Sequence, residues 1–293
     1  MNLKGYLNAR QKRIDRALNR HLPKASTKPA TIHKAMRYSL FAGGKRLRPI
    51  LCLAAAEACG GQIDRAMPLA CAMECIHTYS LVHDDLPSMD NDDFRRGRPT
   101  CHKVFGDGIA VLAGDALLTV AFEIVSRARS TSRYNMSILL REVAVAAGSQ
   151  KLIGGQVADL EAEGKKTARE ELRYIHENKT AAILTATVRL GAMSANAEAK
   201  KLTAITKFGR ALGLAFQVID DILDVTQTSE KLGKSAGKDA AAQKATYPAV
   251  IGLEKSRAEA KQLTRRAHEA LSIFGAKAET LHALANFLLE RDY

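Results

Sequence analysis

The spacing of the apolar residues is the feature that most limits the fold of this chain. Residues 69–83 and 202–225 carry apolar side chains three and four positions apart, and both segments are rich in Ala and Leu. This spacing places the apolar side chains on one face of an α-helix. Neither segment alternates β-branched and polar residues as a strand would, and the rest of the chain has the same character. The sequence predicts an all-α protein.

The breaks between the predicted helices indicate one domain and a functional region. No break combines length with the Pro, Ser or Gly content of an interdomain linker. We expect residues 1–293 to form a single domain, which is within the size range of one large core. Two breaks, residues 87–107 and 229–248, are long and charged, and each closely follows an Asp-Asp pair at the end of an apolar helix. Loops longer than about a dozen residues are uncommon unless they serve function.

The net charge of +13 indicates anionic partners without choosing among them. The basic residues are spread along the chain, Trp is absent and aromatics are 5%, so we expect no nucleic-acid partner. Near its start the chain has charged residues before any apolar run, and later apolar stretches meet a charge before the ~20 residues of a membrane helix. We therefore expect no membrane-spanning segment.

The cysteines favour a reducing compartment. There are five of them, an odd number without paired CxxC motifs, and we expect a cytoplasmic location. Cys71 and Cys75 are one helical turn apart and could share a metal ion. Two small core residues on an Ala-rich helix are the more common arrangement.

The first acidic cluster is HDDLPSMDNDD at residues 83–93. Five carboxylates within ten positions repel one another unless cations compensate. Three arginines within residues 95–98 could do so in a solvated loop. Because Pro87 interrupts helical hydrogen bonding, Asp84 and Asp90 can face one site only across a bulge or turn.

The second acidic cluster, DDILD at residues 220–224, lies inside an otherwise apolar helix. Asp220 and Asp224 are four residues apart, so they project from one helical face, with Gln217 one turn earlier. Like charges at that spacing destabilise a helix, whereas Mg²⁺ accepts carboxylate oxygens and completes its shell with water and phosphate oxygens. Two facing clusters would form a site for a magnesium-bound diphosphate.

Basic segments could bind the same anion. GGKRLRP at residues 43–49 joins two flexible glycines to closely spaced cations, although a Gly-Gly turn before a helix is also common. Arg95 and Arg96 have guanidinium groups that match diphosphate oxygens. Lys179 could equally be a surface lysine, and His77, on the same helical stripe as Asp84, could equally be a core histidine.

Five motifs together resemble the trans-isoprenyl diphosphate synthase family, and within it the bacterial farnesyl diphosphate synthases. They are GGKRLRP (43–49), HDDLPSMD with RRG (83–97), GQVADL (155–160), KT (179–180) and FQVIDDILD (216–224). They occur in the family's order over about residues 38–248. The resemblance implies an antiparallel helical bundle around a deep central cavity, a homodimer, and two aspartate clusters that face each other at the cavity mouth.

The resemblance also implies roles for individual residues. The carboxylates that would hold Mg²⁺ are Asp84, Asp85, Asp90, Asp220, Asp221 and Asp224. The residues that would contact the allylic diphosphate are Arg95, Lys179, Thr180, Gln217, Lys234 and Lys244. Those that would hold isopentenyl diphosphate are Gly44, Lys45, Arg48, His77 and Arg96. Asp159 would lie behind the site. Family members often end in a basic tail, where only Arg291 is available here.

The implied chemistry is a head-to-tail condensation. Ionisation of the allylic carbon–oxygen bond requires stabilisation of the departing diphosphate by metal ions and fixed cations, for which Lys179, Arg95, Asp84 and Asp220 are the catalytic candidates. No protein nucleophile is needed. A class I terpene cyclase would not need the second diphosphate site, and an inactive scaffold subunit would be expected to have lost some of these side chains.

Product length should depend on the residues below the first aspartates. Tyr79 and Ser80 lie five and four positions before Asp84, about one helical turn deeper. A bulky Tyr79 resembles the arrangement that stops elongation near fifteen carbons. We expect farnesyl diphosphate as the product, with geranylgeranyl or longer diphosphates as the alternative.

Overall fold

The computed structural model describes residues 2–226 and 245–289, and almost all of its regular structure is helical. In chain order the elements are α1 (Leu3–His21), α2 (Ala30–Leu40), α3 (Leu47–Ala58), α4 (Ile63–Asp84), β1 (Phe94–Arg95), β2 (Arg98–Pro99), α5 (Cys101–Phe105), α6 (Asp107–Ser126), α7 (Met136–Ala147), α8 (Leu152–Ala162), α9 (Arg169–Ile175), a π-helix (His176–Ala181), α10 (Ala182–Ser194), α11 (Ala199–Thr226), α12 (Tyr247–Ile251), α13 (Leu253–Ala270), a 3₁₀ segment (Ser272–Ala278) and α14 (Glu279–Leu289). The prediction of an all-α protein is confirmed.

The two longest predicted helices are present with nearly the expected bounds. Residues 202–225 lie within α11, and residues 69–83 lie within α4. Helix α11 buries one stripe, formed by Phe208, Leu212, Ala215, Ile219 and Ile222, at three- and four-residue spacing. Residues 87–107 were expected to form a loop. In the structure this region also contains two short paired strands, β1 and β2, of two residues each, and the short helix α5.

The helices enclose one contiguous apolar core. Helix α4 packs against α3 and α6, α10 packs against α3 and α11, and α11 packs against α13. The buried apolar residues form one cluster that extends from Ile14 in α1 to Leu289 in α14. Both Asp pairs lie near the C-terminal ends of helices, because Asp84 ends α4 and residues 220–224 lie in the last two turns of α11.

Helix α6 differs from the expectation about membrane segments. It has 20 residues and, among the described helices, it alone is long and apolar enough to cross a membrane by length and composition. Asp115 and Glu123 interrupt its apolar run. Its inner face packs against α4, and core helices of soluble proteins meet the same criterion.

A buried ion pair joins the first four helices. Arg46, which precedes α3 in a left-handed conformation (φ 50°), is 3% exposed. Its Nη1 donates to Glu74 Oε1 at 2.8 Å, its Nε to Asp15 Oδ1 at 2.8 Å and its Nη2 to the Leu40 carbonyl at 2.7 Å. Arg46 is one of the cations of GGKRLRP, yet its guanidinium stabilises the fold.

Glu74→Gln should therefore be strongly destabilising. The change removes the buried carboxylate of the pair and leaves Arg46 with the partly exposed Asp15, and removing one member of a buried pair destabilises by about 3 kcal/mol. Urea unfolding at pH 7 measures the loss. Glu123→Gln, which removes an exposed carboxylate paired with Arg127, is the matched control and should change stability by less than about 0.5 kcal/mol. Equal losses in the two variants would contradict the assignment.

Candidate active site

A cavity of about 490 Å³ lies between α4, α8 and the π-helix. Seven of the residues predicted for the site line it: Arg48, His77, Tyr79, Ser80, Asp84, Lys179 and Thr180. Its other walls are largely apolar, with Leu86, Met89, Leu152, Ile153, Val157, Leu160 and Ile183. The structure thus brings residues from four of the five motifs to one cavity with charged and apolar sides.

Asp84 lies at the mouth of this cavity. Burial raises its pKa to about 6, the nearby Lys179 and Arg95 oppose that rise, and Asp90 adds to it. The chain turns back after α4, and the Asp90 backbone N–H donates to the Asp84 carbonyl at 2.9 Å. The predicted turn between these two aspartates is confirmed, since Pro87 falls inside it.

Asp85 and Arg95 neutralise each other. The Arg95 Nε lies 2.7 and 2.9 Å from the two Asp85 carboxylate oxygens, and its Nη2 lies 2.6 Å from Oδ1. Asp92 is a weaker partner of the same guanidinium at 3.7 Å. Asp85 is 3% exposed. A diphosphate and its metal ions would have to compete with this ion pair for both side chains.

The second aspartate cluster has two carboxylates with different surroundings. Asp221 accepts from the Tyr247 backbone N–H at 3.0 Å and from Gln217 Nε2 at 3.2 Å, so its carboxylate is turned toward the protein. Asp224 is 4% exposed, and its Oδ2 has no hydrogen-bond donor among the described residues. A buried carboxylate oxygen without a donor suits a cation.

Shared neighbours link the two aspartate clusters. Arg48 lines the cavity that Asp84 also lines, and its charge interacts with Asp220. The Thr180 hydroxyl donates to Gln217 Oε1 at 3.0 Å, one turn before Asp221 in α11. The two clusters therefore have neighbours in common, although among the aspartates predicted to hold metal the cavity is lined by Asp84 and not by Asp220, Asp221 or Asp224.

Lys179 lines the cavity together with Asp84. Its Nζ lies 2.6 Å from Asp159 Oδ2, which places Asp159 behind it, and its charge acts on Asp84. His176, in the same π-helix, stacks on Tyr247 and lies 3.7 Å from Asp221. Burial lowers the pKa of His176 to about 3, so the ring is neutral at physiological pH. The sequence analysis did not identify His176.

The cationic side of the site surrounds His77. Burial and the neighbouring Arg48, Arg96, Arg95 and Arg46 hold the pKa of His77 well below its usual range. Burial also lowers the pKa of Arg48 to about 10, and its Nε has no acceptor among the described residues. A neutral imidazole among four arginines is a site that an anion would stabilise.

Gly44 lies against the Arg96 guanidinium, whereas Lys45 points to α14. Gly44 has φ +110°, and a Cβ there would lie 2.6 Å from Arg96 Nη1, so only glycine admits the guanidinium. The same Arg96 atom donates to the Gly43 carbonyl at 2.6 Å. Lys45 is exposed, and its Nζ lies 5.2 Å from the Phe287 ring centroid in α14. Ser80, below the site, donates to the His77 carbonyl at 2.9 Å.

The carboxylates fit a metal ion that brings other ligands with it. Among residues 2–226 and 245–289, no group of three or more His, Cys, Asp or Glu side chains could hold a metal ion alone. Mg²⁺ commonly binds through one or two carboxylates plus substrate phosphates and water. The Asp224 Oδ2, which lacks a donor among the described residues, and the half-buried Asp84 meet that requirement.

Two glycines allow the π-helix to approach its neighbours. A Cβ on Gly155 in α8 would collide with the backbone N of Lys179, and a Cβ on Gly213 in α11 would lie 2.6 Å from the Ala181 Cα. Gly155 belongs to a motif quoted above, but Gly213 was not identified. A single glycine within a long apolar helix often marks close packing against a neighbour, and this feature could have identified Gly213 from the sequence.

Gly213→Ala should displace the π-helix and with it Lys179 and Thr180. We expect kcat/KM for prenyl transfer to fall about 100-fold, since a shift near 1 Å in a catalytic constellation has that effect. Stability should fall by about 1–3 kcal/mol from overpacking. Gly108→Ala in α6, where nothing lies within 4 Å of the added Cβ, should leave kcat/KM unchanged. Full activity in the Gly213 variant would disprove this role.

Lys234, Lys244 and Arg291, three further candidates from the sequence, lie outside the described residues.

This architecture and site define a class of protein, the all-α isoprenoid synthases. The family model for polyprenyl synthetases matches residues 29–282, and the chain belongs to that family. The chain is 50% identical over 293 residues to the heterodimeric geranylgeranyl pyrophosphate synthase large subunit 1 of Arabidopsis thaliana, with 98% of this chain and 78% of the relative covered. The family membership predicted from the five motifs is confirmed, and the chain is a prenyltransferase by family.

Solved structures agree over the whole fold. A putative farnesyl-diphosphate synthase from Marinomonas is 40% identical and superposes with a TM-score of 0.85, covering 99% of both chains. A geranyltransferase from Helicobacter pylori, complexed with magnesium and isoprenyl diphosphate, is 33% identical with a TM-score of 0.86 and 99% coverage of both chains.

Proposed function

We propose that this protein condenses isopentenyl diphosphate head-to-tail with an allylic diphosphate and that its main product is geranylgeranyl diphosphate. The observation that carries the proposal is the cavity with Asp84, Lys179 and Arg48 at one end and apolar walls below. Such a cavity separates the charged leaving group from the hydrocarbon chain. A deep apolar site also keeps water from a carbocation.

The allylic diphosphate would bind between the aspartate clusters. Asp84, Asp90, Asp220 and Asp224 would hold Mg²⁺, and the magnesium bound in the Helicobacter pylori relative supports this cofactor. When bound, Mg²⁺ supplies the charge that stabilises a departing diphosphate. Lys179, held by Asp159, would bind the same group, and Thr180 and Gln217 would orient it.

Isopentenyl diphosphate would bind beside His77. Arg48 and Arg96 offer guanidinium groups to its diphosphate, and neutral His77 can donate or accept a hydrogen bond. Asp85 and Arg95 begin as an ion pair, so Arg95 would exchange partners as the allylic diphosphate and metal ions arrive. The double bond of isopentenyl diphosphate then attacks the allylic cation, and a proton leaves to the released diphosphate.

The expected product length is changed by the comparisons. Farnesyl diphosphate was the main expectation from the resemblance, but relatives such as the one from Arabidopsis thaliana are named for geranylgeranyl products, which favours the longer alternative. Farnesyl diphosphate is the second candidate because Tyr79, 5% exposed, lines the cavity one turn below Asp84. Its ring packs edge-on against His83, at 5.8 Å between centroids.

Chromatography of products made from radiolabelled isopentenyl diphosphate with dimethylallyl, geranyl or farnesyl diphosphate tests the proposal. We expect a twenty-carbon diphosphate from each primer with Mg²⁺, and no product with EDTA. A fifteen-carbon end product, with farnesyl diphosphate refused as a primer, would select the second candidate. Failure to incorporate isopentenyl diphosphate with any primer would overturn the proposal.

We also propose that a second copy of the chain covers the outer face of α6. Leu112 on that face is 54% exposed, although α6 is apolar along its length. Leu112→Glu should convert a dimer to a monomer in light scattering, and a wild-type protein that is already monomeric would refute the proposal.

All five cysteines are free, which supports a reducing compartment such as the cytoplasm.

A further inference from the structure

A second cavity, of about 620 Å³, lies between α7, α10, α11 and the π-helix. It shares no lining residue with the active-site cavity. The π-helix forms a wall of both, because Lys179 and Thr180 line the active-site cavity while Glu177 and Ala181 line the second one. The proposed reaction uses no residue of this second cavity.

Both carboxylates of the second cavity are already paired with arginines. Glu142 accepts from Arg189 Nε at 2.6 Å and from Nη2 at 3.0 Å, and the remaining Nη1 donates to Thr206 at 2.7 Å. Glu177 accepts from Arg173 Nε at 3.0 Å and lies 4.0 Å from Arg210. These acids are therefore occupied.

Two further cations line the cavity without a carboxylate partner among residues 2–226 and 245–289. Arg141 on α7 is exposed, and Lys151, just before α8, donates only to the neutral amide oxygen of Asn178 at 3.0 Å. The lining includes four cations, Arg141, Lys151, Arg189 and Arg210, and two acids, Glu142 and Glu177. The cavity therefore has a surplus of two positive charges. The surplus indicates an anionic ligand.

The rest of the lining is apolar. Ala146, Ala186 and Met193 are buried, and Leu202 and Leu214 add branched side chains. A volume of this size is within the range of small-molecule sites. The combination of an apolar floor with two unmatched cations fits a molecule that has both a hydrocarbon part and an anionic group.

We propose that the second cavity binds an amphiphilic phosphate: a hydrocarbon chain against the alanines of α7 and α10, and a phosphate or diphosphate group between Arg141 and Lys151. Such a ligand would press on the π-helix at Ala181, two residues from Lys179. Its occupancy would therefore change the rate of the proposed reaction without competing for the substrate sites.

Decyl phosphate is a suitable probe, because it has both parts and is not a prenyl substrate. Calorimetric titration into the full chain with EDTA should show saturable binding. Arg141→Glu should weaken that binding at least tenfold, whereas Arg65→Glu, the same charge reversal at an exposed site on α4, should change it less than twofold. Val145→Trp, at a position 49% exposed on the cavity lip, should block entry without disturbing the core.

The active-site cavity is the competing location for the probe. Arg48→Gln removes a cation there and should leave decyl phosphate binding intact. If Arg48→Gln abolishes binding while Arg141→Glu and Val145→Trp preserve it, the second cavity is not a ligand site.

Steady-state rates of the proposed reaction with decyl phosphate test the coupling between the second cavity and the active site. Inhibition that neither isopentenyl diphosphate nor the allylic diphosphate can relieve supports coupling through the π-helix, and inhibition that is purely competitive with either substrate overturns the coupling.

Discussion

Asp84→Asn should almost abolish prenyl transfer and at the same time stabilise the metal-free protein at pH 7–8. The loss of a carboxylate that would hold Mg²⁺ at the leaving group should reduce kcat/KM about 1,000-fold. The gain in stability follows from the pKa of Asp84, which burial raises to about 6 from 3.8. Because folding disfavours the charged carboxylate, its replacement by a neutral amide removes that penalty.

The sign of the pH dependence is specific to a raised carboxyl pKa. Between about pH 4 and pH 6 the folded state binds more protons at Asp84 than the unfolded state, so this residue lowers stability as the pH rises through that window. Well above pH 6 the penalty is constant, at about 3 kcal/mol. Asp84→Asn should therefore exceed wild type in stability at pH 7.5 and match it near pH 4.

Urea unfolding at the two pH values, without metal, measures the effect. Asp64→Asn is the matched control, because Asp64 is in the first turn of the same helix, is largely exposed and pairs with Arg13 at the surface. It should alter neither activity nor the pH dependence. An Asp84→Asn variant that is less stable than wild type at pH 7.5 would show that this carboxylate is not held in an unfavourable charged state.

Tyr79→Ala should lengthen the product by at least one five-carbon unit. Tyr79 lines the cavity one helical turn below Asp84, and removal of its ring opens space where the growing chain would extend. Its hydroxyl has no hydrogen-bond partner among the described residues, so the substitution leaves no new unsatisfied group there. Stability should fall by about 3–5 kcal/mol, as for other buried aromatic truncations.

Product chromatography with farnesyl diphosphate as primer measures the change. Tyr79→Phe should keep the wild-type product, because the ring remains and only the unpaired hydroxyl is lost. Tyr174→Ala, at a tyrosine 46% exposed on α9, is the surface control. An unchanged product from a folded Tyr79→Ala protein would remove Tyr79 from length control.

His83 explains why the Tyr79 ring can hold its position. The His83 Nε2 lies 2.9 Å from the Val111 carbonyl of α6, and its ring contacts Tyr79 edge-on. Gly114 permits this approach, because a Cβ there would collide with the imidazole. Neither contact was foreseen, since the glycine lies in another helix and nothing local marks it as a partner of His83.

Most of the fold was predictable, as α11 illustrates. The spacing of its apolar residues predicted a helix over 202–225, and the structure has Ala199–Thr226. The turn that unites Asp84 and Asp90 was also predictable, because Pro87 prevents the helix from continuing. The short α5 was missed within residues 87–107, where the charged composition favoured a loop.

Charged residues of one motif proved to have different surroundings. Arg46, Arg48 and Lys45 are neighbours in sequence, yet Arg46 is buried in an ion pair with Glu74, Arg48 lines the cavity and Lys45 stacks on Phe287. His77 could have been a core histidine or a site residue, and only the tertiary structure shows that it lines the cavity together with Arg48.

The amino-acid pattern alone was enough to establish the helices, the family and the two acidic clusters, because helical periodicity and short motifs are properties of neighbouring residues. The pairing of Asp85 with Arg95, the approach of Gly213 to the π-helix and the existence of the second cavity were decided by tertiary packing. Each depends on which distant side chain lies within a few ångströms, and burial and charge pairing at such distances have no signature in local sequence.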